Sequence, residues 1–552
     1  MQRLVLPVLM TISAAVLAAE VPPPVDAATL DFGTSSLTIP PAQRVRVVSP
    51  RTIEMVGSAM LHERGEWRLR LVRDLGASQS PEGLPFLRQV LQDSDSMVRA
   101  QAARAAGQIA DPVVLPQLQP LLKDPDAVVR AAAVLAAARM GDEQAVSSGL
   151  GDADAEVLTA AITQATTAEH AAIISDRLER LPSSLKASAL RRLGAIGSMD
   201  EIAAVTAHLS GGVSERIAAV EALARLNANQ QMHHIAQALA DSHPTVRRAA
   251  MRALARLCPP PQLQEYALQM LSDSDPTVRQ AAAEVLSNHP VAGAISLLRE
   301  QLDTSYPPLR SAARDALVAA GEASIEAAVQ LLDSNHPERR IDGSLVLGRL
   351  RSSAAMQRHI ELLRDGDWQV VAQAAQSLGT IGDRKAADSI GTLVQQIPSL
   401  IDSIELEQRA QLAAAATEAV IAAAKLRHQP SLQVMVQLIP QRTDWSQLRA
   451  ACAWGFGILG DSSDTTTCQA LLSIPSDFLE LQPPKLEAIK ALGHVRYAPA
   501  AAMLRQMADT SPDPQLRWMA HWAYQRITGQ TLDYVPPQHR FTPDLSIVEL
   551  QD

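Results

Sequence analysis

The stretch Asp273-Ser-Asp-Pro-Thr-Val278-Arg279 decides how this chain folds, because its pattern, an acidic turn, then Val-Arg, then a run of alanines, keeps returning. It stands also at Asp93 to Arg99, Asp124 to Arg130 and Asp241 to Arg247. The arginine slot runs through fifteen places: Arg68, Arg99, Arg130, Leu158, Lys186, Arg216, Arg247, Arg279, Arg310, Arg340, Val371, Arg409, Arg449, Leu486 and Arg517. Most steps are 28 to 32 residues. A period of this size denotes a stack of small units, none able to bury its apolar face alone, and therefore a solenoid.

Each unit reads as a helix hairpin. Leu84 to Leu91 has helical spacing, and a second segment from Val98 to Ile109 places Val98, Ala102, Ala106 and Ile109 on one face. Between the helices, Asp275 is positioned as an N-cap, and Pro276 suits the first helical position, where its missing N–H leaves nothing unpaired. Asp126, His243 and Asp513 occupy the same place. The arginine four residues after the cap is within reach of carboxylates in its own turn or in the neighbouring unit, a task that suits a forked guanidinium. Asp95, Arg99, Asp126, Arg130, Asp275 and Arg279 therefore read as a structural ladder. A metal site is the competing reading of the Asp-x-Asp pairs, but the glycine and spaced oxygen ligands of a calcium loop are missing.

The motif D-x-D-P-x-V-R-x-A-A-x-A-L-G resembles the HEAT repeat, and its short period is similar to the HEAT-like units of phycobilisome lyases. The resemblance covers roughly residues 55 to 530. It implies an all-α fold, a right-handed α-solenoid of about fifteen HEAT-like hairpins. On function it implies only a broad choice among scaffolds, transport receptors, adaptors and occasional enzymes.

Composition narrows that choice. Hydrophobic residues make up 47% of the 552-residue chain but aromatics only 3%, so Ala, Leu and Val must build the interior. The formal net charge of -10 supplies no global basic field for a phosphate backbone, which argues against nucleic acid as a partner. There is no G-x-S-x-G, phosphate loop, H-E-x-x-H or paired C-x-x-C. His233-His234 is the sole adjacent histidine pair and has no evident third ligand. The sequence therefore predicts no cofactor and no metal.

Residues 1–19 read as a bacterial secretory signal: one positive charge at Arg3, an apolar run from Leu4 to Ala19, and Val16-Leu17-Ala18 before Glu20. An uncleaved anchor is the alternative, although sixteen apolar residues interrupted by Pro7 fall short of the ~20 a span needs. The expected location is the periplasm, with no stable span in the mature chain. Residues 20–50 read as a proline-rich extended linker, 51–382 as regular repeats, 383–530 as longer irregular repeats and 531–552 as an extended tail. Cys452 and Cys468 are candidates for a disulfide, with buried free thiols as the alternative.

Counting from the valine of Val-Arg as position 0 at 100° per residue, positions 0, 4, 8 and 11 share the buried face, while 2, 6 and 9 point away. Position 6 then reports the open face of the second helices, which line the concave side in HEAT solenoids. Along it lie Arg73, Arg104, Arg252, Glu284, Asp315, Trp454 and Trp522, and Trp518 joins them at position 2 of the last helix. These eight are the candidate partner-binding residues. Trp518 and Trp522 have a second reading, as a face covered by the tail segment carrying Tyr534, Pro536, Pro537 and Phe541. The function expected from this pattern is a noncatalytic scaffold or adaptor for protein partners in the cell envelope. The competing expectation is an enzyme or a small-ligand or chromophore carrier with a pocket in the irregular repeats.

Overall fold

The computed structural model describes residues 49–439, 445–477 and 480–532. Among them are 30 α-helices, which make the structure 80% helical, and no strand. The signal segment, the linker up to residue 48 and the tail from 533 lie outside the described residues. The first helix, Pro50–His62, is capped by the Ser49 hydroxyl, so regular structure begins at Pro50, the last residue assigned above to the linker.

The chain divides into two compact units, one ending at Cys258 and one starting at Pro259. In the first, the second helices of successive hairpins are Gly65–Ala77, Ser96–Ile109, Ala127–Arg139, Ala155–Gln164, Ser183–Ile196, Val213–Arg225 and Pro244–Leu257, each packed on the next. After Pro50–His62 the first helices of this unit are shorter and are often completed by 3-10 turns, as in Leu115–Leu118 followed by Gln119–Lys123. Val98, Ala102 and Ala106 are buried as their spacing requires, and Ile109 is half-buried.

Close approach between second helices explains the alanine and glycine content. A Cβ on Gly107 would lie 2.8 Å from the Ala136 Cα, and one on Gly194 would lie 2.6 Å from the Ala222 Cα. Both glycines stand at position 9 of their helices. The expectation that position 9 points away is thus corrected: it is the line of contact with the next hairpin, a neighbour that one-helix geometry leaves out.

The second unit repeats this scheme through the second helices Pro276–Asn288, Pro307–Ala319, Pro337–Arg349, Trp368–Ile381, Arg409–Lys425, Ser446–Leu459, Gln482–His494 and Pro514–Thr528. Where the repeat step widens, Ala387–Ser403 and Arg409–Lys425 each reach 17 residues. The last helix stops at Gly529, whose φ of 73° takes the left-handed conformation that glycine adopts without a Cβ penalty. The chain then turns back along that helix. His521 Nε2 donates to the Leu532 carbonyl at 3.1 Å, and the Tyr524 hydroxyl donates to Gln530 Oε1 at 3.2 Å.

Candidate functional site: the second-helix face and its flanks

The arginine ladder has a single stereochemical rule. Arg99 donates from Nε and Nη2 to both carboxylate oxygens of Asp124, at 2.8 and 3.0 Å, and from Nη1 to the carbonyls of Asp93 and Ser94. Arg130 does the same with Asp152 at 2.8 and 3.0 Å, and Arg216 with Asp241 at 2.7 and 2.8 Å. Arg68 pairs with Asp93, and Arg340 with Asp365. In each case the acid belongs to the next hairpin and stands two residues before its N-cap. That acid also accepts the amide of the capping residue, as Asp124 does from Asp126 at 2.9 Å.

Asp95, Asp126 and Asp275 have a different task. They accept the amides of Met97, Val128 and Thr277 and so cap the second helices. The acid that receives the interhairpin arginine is therefore the first of each Asp-x-Asp pair. Burial alone would raise the Asp124 carboxyl, but the Arg99 guanidinium and the Asp126 amide bring it below the ordinary range. Asp152 is likewise lowered, chiefly by Arg130.

The rule also explains the exceptions. Thr304 and Ser334 stand where the next acid belongs, and their hydroxyls still accept the amides of Tyr306 and His336. Arg279, facing Thr304, is left with the carbonyls of Asp273 and Ser274, and its Nε finds no hydrogen-bond acceptor. Arg310, facing Ser334, turns instead to Asp342 at 2.9 Å and Glu338 at 2.8 Å. Asp342 is 1% exposed, is also met by Arg314 at 3.5 Å, and sits at a place in the repeat where most other units carry alanine. An acid at that place in the repeat was the sequence signal for this buried cluster.

Position 6 divides along the chain. Arg73 and Arg252 are exposed, whereas Arg104, Glu284 and Asp315 are half-buried. Gln280 donates to Glu284 at 2.6 Å, and Asp315 pairs with Arg349 at 2.5 Å. Arg191 and Glu221, which share position 6, pair across adjacent hairpins at 3.5 Å. Trp454 is 7% exposed, and this corrects its assignment to an open binding face. Its helix is buried continuously from Leu448 to Phe456, as Gln482–His494 is from Leu486 to Gly493, so neither presents a free side there. Trp518 and Trp522 are half-buried. The Trp522 ring meets His494 edge-on at 5.2 Å, carries the Arg526 guanidinium at 5.5 Å and closes over Gly493.

Buried titratable groups gather in the second unit. Arg449 bonds the Ile439 carbonyl at 3.1 Å and pairs with Glu480. Glu487 and Lys490 form a buried pair at 3.3 Å, where desolvation pushes the Glu487 carboxyl upward against the pull of Lys490. His359 is wholly buried, donates from Nδ1 to the Ala355 carbonyl at 3.2 Å, and has no hydrogen-bond partner at Nε2. Burial holds it below the usual histidine range. The unfolded chain takes up this proton near pH ~6.5 while the folded chain does not. The associated stability is present above that pH and is lost as pH falls toward the depressed folded value. His359 is therefore expected to lower the melting temperature of the second unit at pH 5.5 relative to pH 7.5, a contribution read as the difference in slope between the wild type and His359→Gln; an identical slope in the variant would refute the assignment.

Cys258, Cys452 and Cys468 are buried free thiols in this structure, with desolvation pushing Cys468 up to about 11. Among the described residues no group of three or more His, Cys, Asp or Glu side chains is arranged to hold a metal ion. His233 and His234 lie ring against ring at 3.8 Å, and His234 Nδ1 is 3.4 Å from Gln237 Oε1. No described helix is long and apolar enough to cross a membrane.

With this geometry established, comparison with known proteins bears on the fold. Residues 53–138 and 232–318 match the family model for HEAT repeats. A search among curated proteins gave no match. Kap95p, in a structure concerned with its binding to RanGDP, aligns with a TM-score of 0.58 at 14% identity, covering 87% of this chain and 72% of that one. Importin beta crystallised from polyethylene glycol aligns at 0.58 and 12% identity, covering 86% and 82%. Kap121p bound to Pho4p aligns at 0.52 and 14% identity, and the present chain spans 56% of its length. Repeated hairpins, the two matched stretches and these likenesses together make the fold that of a HEAT-repeat α-solenoid.

Proposed function

We propose that this chain is a noncatalytic scaffold that binds protein partners along its second helices, in the cell envelope. The observation that carries the reading is a division of labour among its arginines. Ladder arginines such as Arg68 and Arg99 are consumed between hairpins, whereas Arg73 and Arg104, on the same helices, make no hydrogen bond or ion pair among the described residues. Two such charges, one hairpin apart on the same face of the stack, suit recognition of an acidic protein surface more than a fixed reaction centre. The solved structures of similar fold include a Kap121p bound to Pho4p and another bound to Ste12p. The envelope location rests on the character of residues 1–19 and is tested by cell fractionation with N-terminal sequencing of the mature protein.

The binding surface is tested by placing a photocrosslinking residue at Arg104 and, separately, at Arg88 on a first helix, then identifying what each captures from periplasmic extract. A partner captured at Arg104 and not at Arg88 is the expected outcome. With that partner purified, reversing Arg73, Arg104 and Arg252 to Glu should slow association by about tenfold at low salt and flatten its salt dependence. Unchanged association kinetics would refute the assignment of these arginines.

A further inference from the structure

A cleft of about 650 Å³ opens in the second unit beside the helix Arg409–Lys425, closed at one side by the start of Ser446–Leu459. Leu406, Ile421, Trp445 and Leu448 supply apolar walls, and Thr417, Glu418, Ser446 and Gln447 are among the polar residues that line it. Leu406 stands at the mouth, 80% exposed. The volume is that of a site for one or two anchoring groups.

Glu418 is the feature the scaffold itself does not use. Its side chain is half-buried, yet it makes no hydrogen bond or ion pair among the described residues. The Thr417 hydroxyl is turned back to the Ala413 carbonyl at 2.7 Å, and Lys425 acts on Glu418 only through space. Desolvation accordingly pushes the Glu418 carboxyl upward. Four residues to either side on this helix stand Ala414 and Ala422. A half-desolvated acid without a partner, set among apolar side chains and beside a tryptophan ring, is complementary to a cation carried on an apolar stem.

We propose that this cleft receives a segment of the protein partner that presents a lysine or arginine flanked by apolar side chains, with the cation on Glu418 and the apolar groups against Leu406, Ile421 and Trp445. The cleft lies on the open flank of a second helix, next to Ala414 at position 6, so a bound segment would continue along the surface assigned to partners. This inference rests on the scaffold reading above. The exposed Arg409 at the rim disfavours a run of basic residues and selects one cation in an otherwise neutral or acidic segment.

The test is selection of a random heptapeptide phage library on the immobilised full-length chain, followed by affinity measurements with synthetic enriched peptides. The expected result is enrichment of a single Lys or Arg beside Leu, Ile or Phe. Glu418→Gln should weaken binding about tenfold, and exchanging the peptide cation for Gln should add little to that loss. Thermal melting of Glu418→Gln at or above the wild-type temperature establishes that the variant is folded. Peptides without a basic residue, or basic peptides that bind Glu418→Gln equally well, would overturn the proposal. So would n-butylamine alone competing at the concentration of the peptide, which would make the site one for small amines. Retention of the envelope partner in that event leaves the scaffold reading intact, whereas failure of the photocrosslinking experiment with peptides still bound at Glu418 removes the scaffold reading and not the cleft.

Discussion

Arg99→Ala should lower the stability of the first unit by roughly 3 kcal/mol, a large share of what one unit of such a stack commands. The side chain bonds both oxygens of Asp124 and two carbonyls of its own turn, and its removal leaves the Asp124 carboxylate, largely withdrawn from water, without its cation. Arg279→Ala, at the same slot, should cost about half as much, because Thr304 replaces the acid and only carbonyl bonds are lost. Urea midpoints and amide exchange in the flanking hairpins measure both. Equal losses for the two variants would show that the interhairpin ion pair contributes nothing beyond the backbone bonds. The lowered Asp124 carboxyl adds a sign: its contribution is present above the ordinary aspartate range and is lost as pH falls through the folded value, so Arg99→Ala should also reduce sensitivity to acid.

Gly194→Val should destabilise the same unit by about 3 kcal/mol or more, at the upper end of what overpacking costs. An added Cβ would stand 2.6 Å from the Ala222 Cα and 2.9 Å from its Cβ, so the two helices must separate. The gain in helix propensity on leaving glycine, under ~1 kcal/mol, offsets only a small part. Ala222→Gly in the same chain should recover part of the loss and not all of it, since the nearest atom is backbone. Thermal melting of the single and double variants decides the matter; full tolerance of Gly194→Val would mean that the hairpins slide freely past one another.

Much of this architecture was legible because its causes are local. An Asp immediately before an apolar helical run caps the helix with its own side chain, and Asp126, Asp275 and Asp513 do so here. The same locality explains where the reading went astray. A wheel drawn for one helix shows which residues share a face and carries no information on what lies opposite. Position 6 is open at Arg73 and covered at Trp454, although both satisfy the same angle. The tryptophan itself was the warning, since a large apolar side chain at a nominally open position usually has something against it.

By itself, then, the sequence determined the repeat length, the helix hairpin, the capping residues and the arginine slot, all of which depend on spacing and on backbone chemistry within a few residues. Tertiary structure alone decided which acid of each Asp-x-Asp pair takes the arginine of the preceding hairpin. Both acids lie within reach of a long side chain, and only the offset between stacked hairpins selects the first. It likewise decided that position 9 is an interface, and that Glu418 stands partnerless in a cleft, because these outcomes depend on which surfaces from distant parts of the chain come to face each other.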